Sequence, residues 1–418
     1  MLSKGWLVCA LAVVLFFSLL GSYNMIGAAP PIKIGYLGPF TGPWTSGGTE
    51  MRDAWILHIG QIGSKVAGRD IQFIAEDDEG KPEVGLTKTR KLVEKDKVHI
   101  LTGIYSSGVA YAVRDYVHSQ KVPLMITNAG ADDLTQQKRS PYIFRSSYSN
   151  SQHNFAFGAW VYNKLGKRRL VMIGSEFPGA WEWCGAMAYS FVTAGGKVLQ
   201  ELYSPLGAND YAPYITAIKP EADVVYTMYT GHEAVRFHTQ YKEYGLYGKI
   251  QNVGVLGGMD EYVYPQCGDD VVGYVSTGLR GYPDDPAYKA YRQAFREKFG
   301  RDPGNFADGA YMGAMFVLRA LQKINGNIED KEAFLNALKG IKIPNSGWGP
   351  ISFDEYQNTV HDVPILKLIK VGNTFKVEMI DVVPQVSQFW HFTPEEYFKK
   401  VPNWAQMKGK WADYKPVK

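Results

Sequence analysis

The chain has 418 residues, with 45 Lys plus Arg against 41 Asp plus Glu and a formal net charge of +4. Its length exceeds one ordinary hydrophobic core, so two domains of somewhat under about 200 residues each are expected. The near balance of charge, with no long Lys/Arg run, excludes a nucleic-acid stripe, and 45% hydrophobic residues fit a soluble globular chain with ample core.

Residues 1–29 stand apart as a candidate signal peptide. Lys4 gives a basic start, and residues 6–20 are nearly all apolar (WLVCALAVVLFFSLL), the length of a secretory leader's core and short for a membrane span. Gly27, Ala28 and Ala29 then offer a small-residue cleavage site near Ala28/Ala29. The competing reading is an uncleaved anchor. Cys9 lies inside the apolar run rather than after it, which argues against a lipoprotein. Removing the leader leaves Cys184 and Cys267, whose separation carries no spacing signature. A disulfide and two ordinary thiols both stay open.

From residue 32 the chain alternates short apolar strands with amphipathic helices. A strand over 32–37 runs into a Gly/Pro-rich loop over 38–48. The helix that follows places Met51, Ala54, Trp55, His58 and Ile59 on one face. Strands over 71–76, 99–104 and 122–127 alternate with a helix opening at Pro82 and one carrying Val109, Val113, Tyr116 and Val117. A second series follows, with strands over 170–173, 198–203, 224–228, 251–255 and 272–277 and helices over 181–194 and 211–218. This rhythm implies α/β architecture: two similar doubly wound parallel-sheet lobes joined by a multi-strand hinge. Long helices over 285–299 and 308–324 return to the first lobe, and β-like runs within 350–383 return to the second. The expected domains are therefore lobe I over 30–147 and 279–349, lobe II over 148–278 and 350–383, and an aromatic-rich C-terminal extension over 384–418 packed on a lobe.

Catalytic and phosphate-binding motifs are missing. There is no G-x-S-x-G elbow, no phosphate loop and no G-x-G-x-x-G at the first strand. His232-Glu233 begins like a zinc-protease helix, but Arg236 stands where the second His is needed. No cofactor, metal or catalytic residue is expected, and the chain does not read as an enzyme.

The chemistry lies in loops at the C-terminal ends of strands, where doubly wound sheets bind ligands. Ser106 and Ser107 precede a helix whose positive end suits a carboxylate; helix capping alone is the competing reading. Asn128, Ala129, Gly130 and Ala131 follow the next strand and are small enough for a ligand to approach the backbone. The second lobe offers Phe177, Trp181 and Tyr229, with Tyr282 after the crossing back, and Trp44 and Tyr105 face them from the first. Each of these aromatics has a core role as its alternative, and Trp183 is assigned to the core. Aromatic walls with a few convergent polar groups describe a small-molecule pocket.

With these residues placed, the sequence resembles the solute-binding proteins of branched-chain amino-acid (leucine/isoleucine/valine) type ABC importers, which have the type I periplasmic binding protein fold. The resemblance rests on IKIGYLGPFTGP (32–43), EDD (76–78), YSSGVA (105–110), NAGA with LT (128–131 and 134–135) and DYAPY (210–214), in that order and spacing. It implies hinge closure of two lobes on a carboxylate ligand in the periplasm, delivery to membrane permease subunits, and a monomer. It also implies that Ser107 and the 128–131 loop hold the carboxylate while Phe177 and Tyr229 close over it. Amino-acid-binding relatives place an acid for the ammonium after the strand at 251–255. Here that loop reads LGGM, with Asp260 and Glu261 slightly late. An unpaired buried ammonium is costly, so an aromatic carboxylate is favoured over an amino acid, with both kept open. Two other functions compete: a ligand-sensing protein for a signalling partner, and an exported α/β enzyme on a small acid.

Overall fold

A computed structural model describes residues 29–416 apart from positions 43, 256 and 262. The leader expected over 1–29 thus falls, but for its last residue, outside the described residues. Among the described residues no helix is long and apolar enough to cross a membrane.

Strand β1 (Ile32–Gly38) is buried at every position except Lys33, because neighbours and helices cover a parallel strand on both faces. It pairs in parallel with β3 (Arg69–Asp77) and β4 (Ile100–Gly103), and β5 (Leu124–Ile126) and β6 (Ile143–Arg145) extend the sheet. The short β2 (Lys65–Val66) adds an antiparallel edge, giving the order β2-β3-β1-β4-β5-β6. Helix α1 (Thr45–Gln61) buries Met51, Ala54, Trp55 and Ile59, the face its spacing anticipates. Helices α2 (Pro82–Arg90) and α3 (Ser107–Gln120) pack together. β6 has no counterpart in the sequence reading, since three residues are too few for periodicity to register.

The second sheet has the order β12 (Lys342–Ile343), β13 (Ile351–Phe353), β14 (Thr359–Val371), β11 (Val275–Thr277), β10 (Gln251–Gly254), β9 (Val224–Met228), β7 (Arg169–Ser175) and β8 (Lys197–Ser204), with β15 (Thr374–Val386) paired to β14. Its parallel part comprises β7 (Arg169–Ser175), β8 (Lys197–Ser204), β9 (Val224–Met228), β10 (Gln251–Gly254) and β11 (Val275–Thr277). Helices α4 (Asn150–Asn163) and α5 (Pro178–Thr193) pack on each other. The helix expected over 211–218 is only α6 (Ala212–Thr216), and α7 (Gly231–Glu243) packs beside it. Cys184 sits buried on α5 and Cys267 ends α8 (Tyr264–Cys267); both thiols are free.

After β11 the chain returns to the first sheet through α9 (Pro286–Phe299) and α10 (Asn305–Lys323), which pack on α1. Tyr311 of α10 donates to Gln61 Oε1 at 2.6 Å. Helix α11 (Lys331–Lys339) leads to β12 (Lys342–Ile343), β13 (Ile351–Phe353), β14 (Thr359–Val371) and β15 (Thr374–Val386), all part of the second sheet. Chain crossings after β6, after β11 and after α11 make the hinge multi-stranded.

The aromatic tail is ordered. Helices α12 (Pro394–Lys400) and α13 (Trp404–Met407) follow β15, and α13 packs on α5. The Trp404 indole lies over Gly185 of α5, where a β carbon would come within 2.6 Å of the ring. Trp404 and Trp411 are both buried.

Candidate functional site

The first wall of the site begins with a strained turn. Gly103 (φ 104°) and Ile104 (φ 65°) end β4 in the left-handed region. A β carbon at Gly103 would lie 2.2 Å from Leu37 O, so only glycine fits there. A β-branched residue at positive φ is costly, and Ile104 is held by burial and by its N–H bond to Leu37 O at 2.7 Å. The turn delivers Tyr105, Ser106 and Ser107, all half-buried, to the N-terminus of α3. Ser106 occupies the cap position but its hydroxyl makes no cap bond. It therefore stands at the positive end of a 14-residue helix with its hydroxyl uncommitted. Ser107 Oγ accepts the Ala131 N–H at 3.1 Å and so ties the two loops together.

The 128–131 loop is braced from inside. Asn128 donates to Tyr105 O at 2.9 Å and accepts from the Tyr148 hydroxyl at 3.2 Å. The Ala129 N–H is bonded to Ile104 O at 3.0 Å. With the Ala129 and Ala131 N–H groups both engaged inside the protein, these alanines shape the loop and do not offer donors to a ligand. Beneath them lies Arg145, fully buried, which donates to Ala131 O at 2.7 Å, Ala129 O at 3.3 Å, Asn358 Oδ1 at 2.6 Å and the Thr135 hydroxyl. Burial pushes its guanidinium down to about 10, opposed by the nearby Asp132, Glu182 and Asp354 carboxylates. Arg145 escaped the sequence reading. The one signal was a charged residue closing the apolar run YIF, too slight to single out.

The second wall faces this loop across Asn150. A β carbon at Gly130 would meet Asn150 Oδ1 at 2.1 Å, and one at Gly179 would lie 3.5 Å from its Nδ2. Phe177 caps α5 in extended conformation and Trp181 follows one turn later; both are half-buried. Trp181 Nε1 donates to Glu176 Oε1 at 3.0 Å. Glu182 accepts from Asn150 Nδ2 at 2.7 Å and from the Asp132 N–H at 3.4 Å. Burial, and then the adjacent Asp132, holds the Glu182 carboxyl well above the usual range. Trp183 is buried, edge-on to Tyr148 at 5.6 Å.

An aromatic row covers the first wall. Trp44 stacks on Tyr105 at 5.8 Å and Tyr105 meets Phe306 of α10 at 5.0 Å. Phe306 reaches towards the second lobe: a β carbon on Gly257 would lie 3.7 Å from its ring. Phe306 was not anticipated, because it sits 201 residues beyond Tyr105 in sequence and only the crossing after β11 brings it back.

Two of the expected ligand residues are not gathered with the others. Tyr229 is buried against Phe237 (4.7 Å) and Tyr211 (5.0 Å), its hydroxyl 3.2 Å from Ser204 Oγ. Strand alternation puts it on the same face as Val225, towards α7. Tyr282 lies on the second crossing, and its hydroxyl donates to Asp362 of β14 at 2.6 Å. It belongs to the hinge.

The acids after β10 are nearer than their sequence position suggests. Gly257 (φ 80°) turns the chain back, and a β carbon there would lie 3.8 Å from Asp260 Oδ2. Glu261 is bonded to Arg280, which also donates to Pro303 O at 2.7 Å. Glu50 of α1 has Oε2 buried without a hydrogen-bond partner; burial, then Asp260 and Glu261, pushes its carboxyl up to about 8. Acidic side chains thus do border the Tyr105 side of the cleft.

A family model described as periplasmic binding protein matches residues 31–373. A Leu/Ile/Val-binding protein homolog 6 from Brucella melitensis is 25% identical, over 82% of this chain and 88% of its own length. Among solved structures, an ABC transporter substrate-binding protein from Sphaerobacter thermophilus shares 33% identity with a TM-score of 0.83, covering 86% of this chain and 99% of that one. A solute-binding protein of an ABC transporter from Rhodopseudomonas palustris BisB5, in complex with 3,4-dihydroxy benzoic acid, shares 28% identity with a TM-score of 0.79, over 86% and 98%. The family match ends ahead of α12 and α13.

Proposed function

Because the chain belongs to the periplasmic binding protein family, we propose that it captures an aromatic carboxylate between its lobes and hands it to the permease subunits of an ABC importer. The observation that carries this reading is the aromatic row Trp44–Tyr105–Phe306 beside the N-terminus of α3. A row of flat apolar faces suits a ring, with Phe177 and Trp181 proposed to close over it, and Ser106 with the α3 N-terminus suits its carboxylate. Closure about the multi-stranded hinge takes the ligand out of water, which strengthens the anion contacts. The relative from R. palustris that holds a dihydroxybenzoic acid supports the same ligand class. Export would follow cleavage near Ala28/Ala29, and no catalytic step is part of the role.

An amino acid is the second reading, favoured by the position of Asp260 and Glu50 beside Tyr105, where an ammonium would find counter-charge. Calorimetric titration with benzoate, 4-hydroxybenzoate and leucine separates the two. Binding of the benzoates alone upholds the proposal; binding of leucine alone replaces it with amino-acid capture. Binding of none overturns both ligand assignments.

A further inference from the structure

Beyond the family-matched region, the tail runs directly onto the site. We propose that residues 387–415 form a strap that positions the second wall, with Lys408 as the positioning residue for Trp181 and Trp404 as the anchor towards the first lobe. The inference rests on the reading that Trp181 lines the cleft.

Lys408 Nζ donates to Glu176 Oε1 at 2.5 Å, the same oxygen that accepts from Trp181 Nε1 at 3.0 Å. The ammonium also lies over the Trp181 ring at 5.1 Å and the Tyr203 ring at 5.7 Å. Both members of the ion pair are about a third exposed, at 39% and 34%, so its worth as an isolated bridge is small. Its effect on position is another matter. The strap's backbone just beyond Lys408 is already fixed, since the Gly409 and Trp411 N–H groups donate to Glu201 of β8 at 3.0 and 2.9 Å. Lys408 therefore reaches Glu176 from an anchored base, and little further entropy is lost in holding the indole.

Earlier residues of the strap hold the first-lobe loop. Trp404 Nε1 donates to Asp132 Oδ2 at 3.0 Å, and both residues are buried. Asp132 follows the 128–131 loop, and its Oδ1 accepts the Ser151 N–H at 3.0 Å. Gln388 donates to Thr135 O at 3.3 Å and to Asp354 Oδ2 at 2.9 Å. One short segment thus holds the loop behind the first wall and the turn that forms the second. Apolar cover for α5 alone would not require these polar contacts.

The test uses the full mature chain with Lys408→Met, Lys408→Arg and Trp404→Phe. Hydrogen–deuterium exchange is read on residues 176–183 and 131–135 without ligand, and calorimetry follows 4-hydroxybenzoate and leucine. Lys408→Met should speed exchange over 176–183 about fivefold and weaken binding about threefold to tenfold, with Lys408→Arg restoring both. Trp404→Phe should speed exchange over 131–135. Unchanged exchange over 176–183 in Lys408→Met overturns the strap. If exchange responds but Trp181→Ala leaves affinity untouched, the strap stands as a tether and the placement of Trp181 in the ligand site falls. If neither probe binds, the exchange data still decide the strap while the ligand proposal fails on its own.

Discussion

Asn150 Nδ2 donates to Glu182 Oε2 at 2.7 Å, and the same Glu182 oxygen accepts the Asp132 N–H, so one carboxyl joins the two walls of the cleft. A ligand carboxylate in the proposed site would meet a carboxyl that burial holds towards its neutral form, and a like charge wherever it ionises.

Replacing that acid should therefore favour the ligand. In Glu182→Gln the amide keeps a hydrogen-bonding shape but carries no charge. Like charges about 8 Å apart at an effective dielectric near 20 repel by roughly 2 kcal/mol. Carboxylate affinity should rise about thirtyfold wherever wild-type Glu182 is ionised and change little where burial keeps it protonated. Titration calorimetry across pH measures this. A uniform loss of affinity at every pH would mean that Glu182 serves the ligand directly.

The two second-lobe aromatics should separate cleanly. Trp181→Ala removes a stacking face and should weaken an aromatic carboxylate by at least about 1.4 kcal/mol, or tenfold. Tyr229→Phe should leave affinity unchanged and lower stability by about 1 kcal/mol through loss of the Ser204 contact. Affinity loss in Tyr229→Phe would return that residue to the ligand site.

His153 of α4 and His361 of β14 lie with their Nε2 atoms 2.8 Å apart, both buried. Burial first, then the neighbouring His361, lowers His153 well below the ordinary value, and burial lowers His361 to about 4 despite the adjacent Asp362. A folded value below the unfolded one of about 6.5 means that the folded state binds fewer protons. Stability is complete above about pH 6.5 and is lost as pH falls towards 4, by roughly 3 kcal/mol for His361. His361→Gln should flatten the acid limb of a denaturation-versus-pH curve, and an unchanged limb would assign it to other groups.

Glu50 works with the opposite sign. Its folded value of about 8 lies above the unfolded one, so its contribution is complete in acid and is lost as pH rises through 8. Melting temperature between about pH 5 and 8 should fall more steeply in wild type than in Glu50→Gln. Parallel curves would show that Glu50 gains a partner as it ionises.

Local pattern was enough to foresee much of this protein. The largely apolar runs at β1, β4 and β9 announced parallel strands covered on both faces, and the Met51–Ala54–Trp55 spacing named the face that α1 buries. The order of strand, small-residue loop and helix put Ser106 and Ser107 at a helix N-terminus, because that follows from neighbouring residues alone. Tertiary structure decided what depends on chain crossings and on facing side chains. It brought Phe306 beside Tyr105, set Arg145 under Ala129 and Ala131, turned Tyr229 into the core and carried Lys408 onto Trp181. Periodicity fixes which face of an element is apolar; which distant element meets that face is settled only when the chain has crossed between lobes and its buried polar groups have found partners.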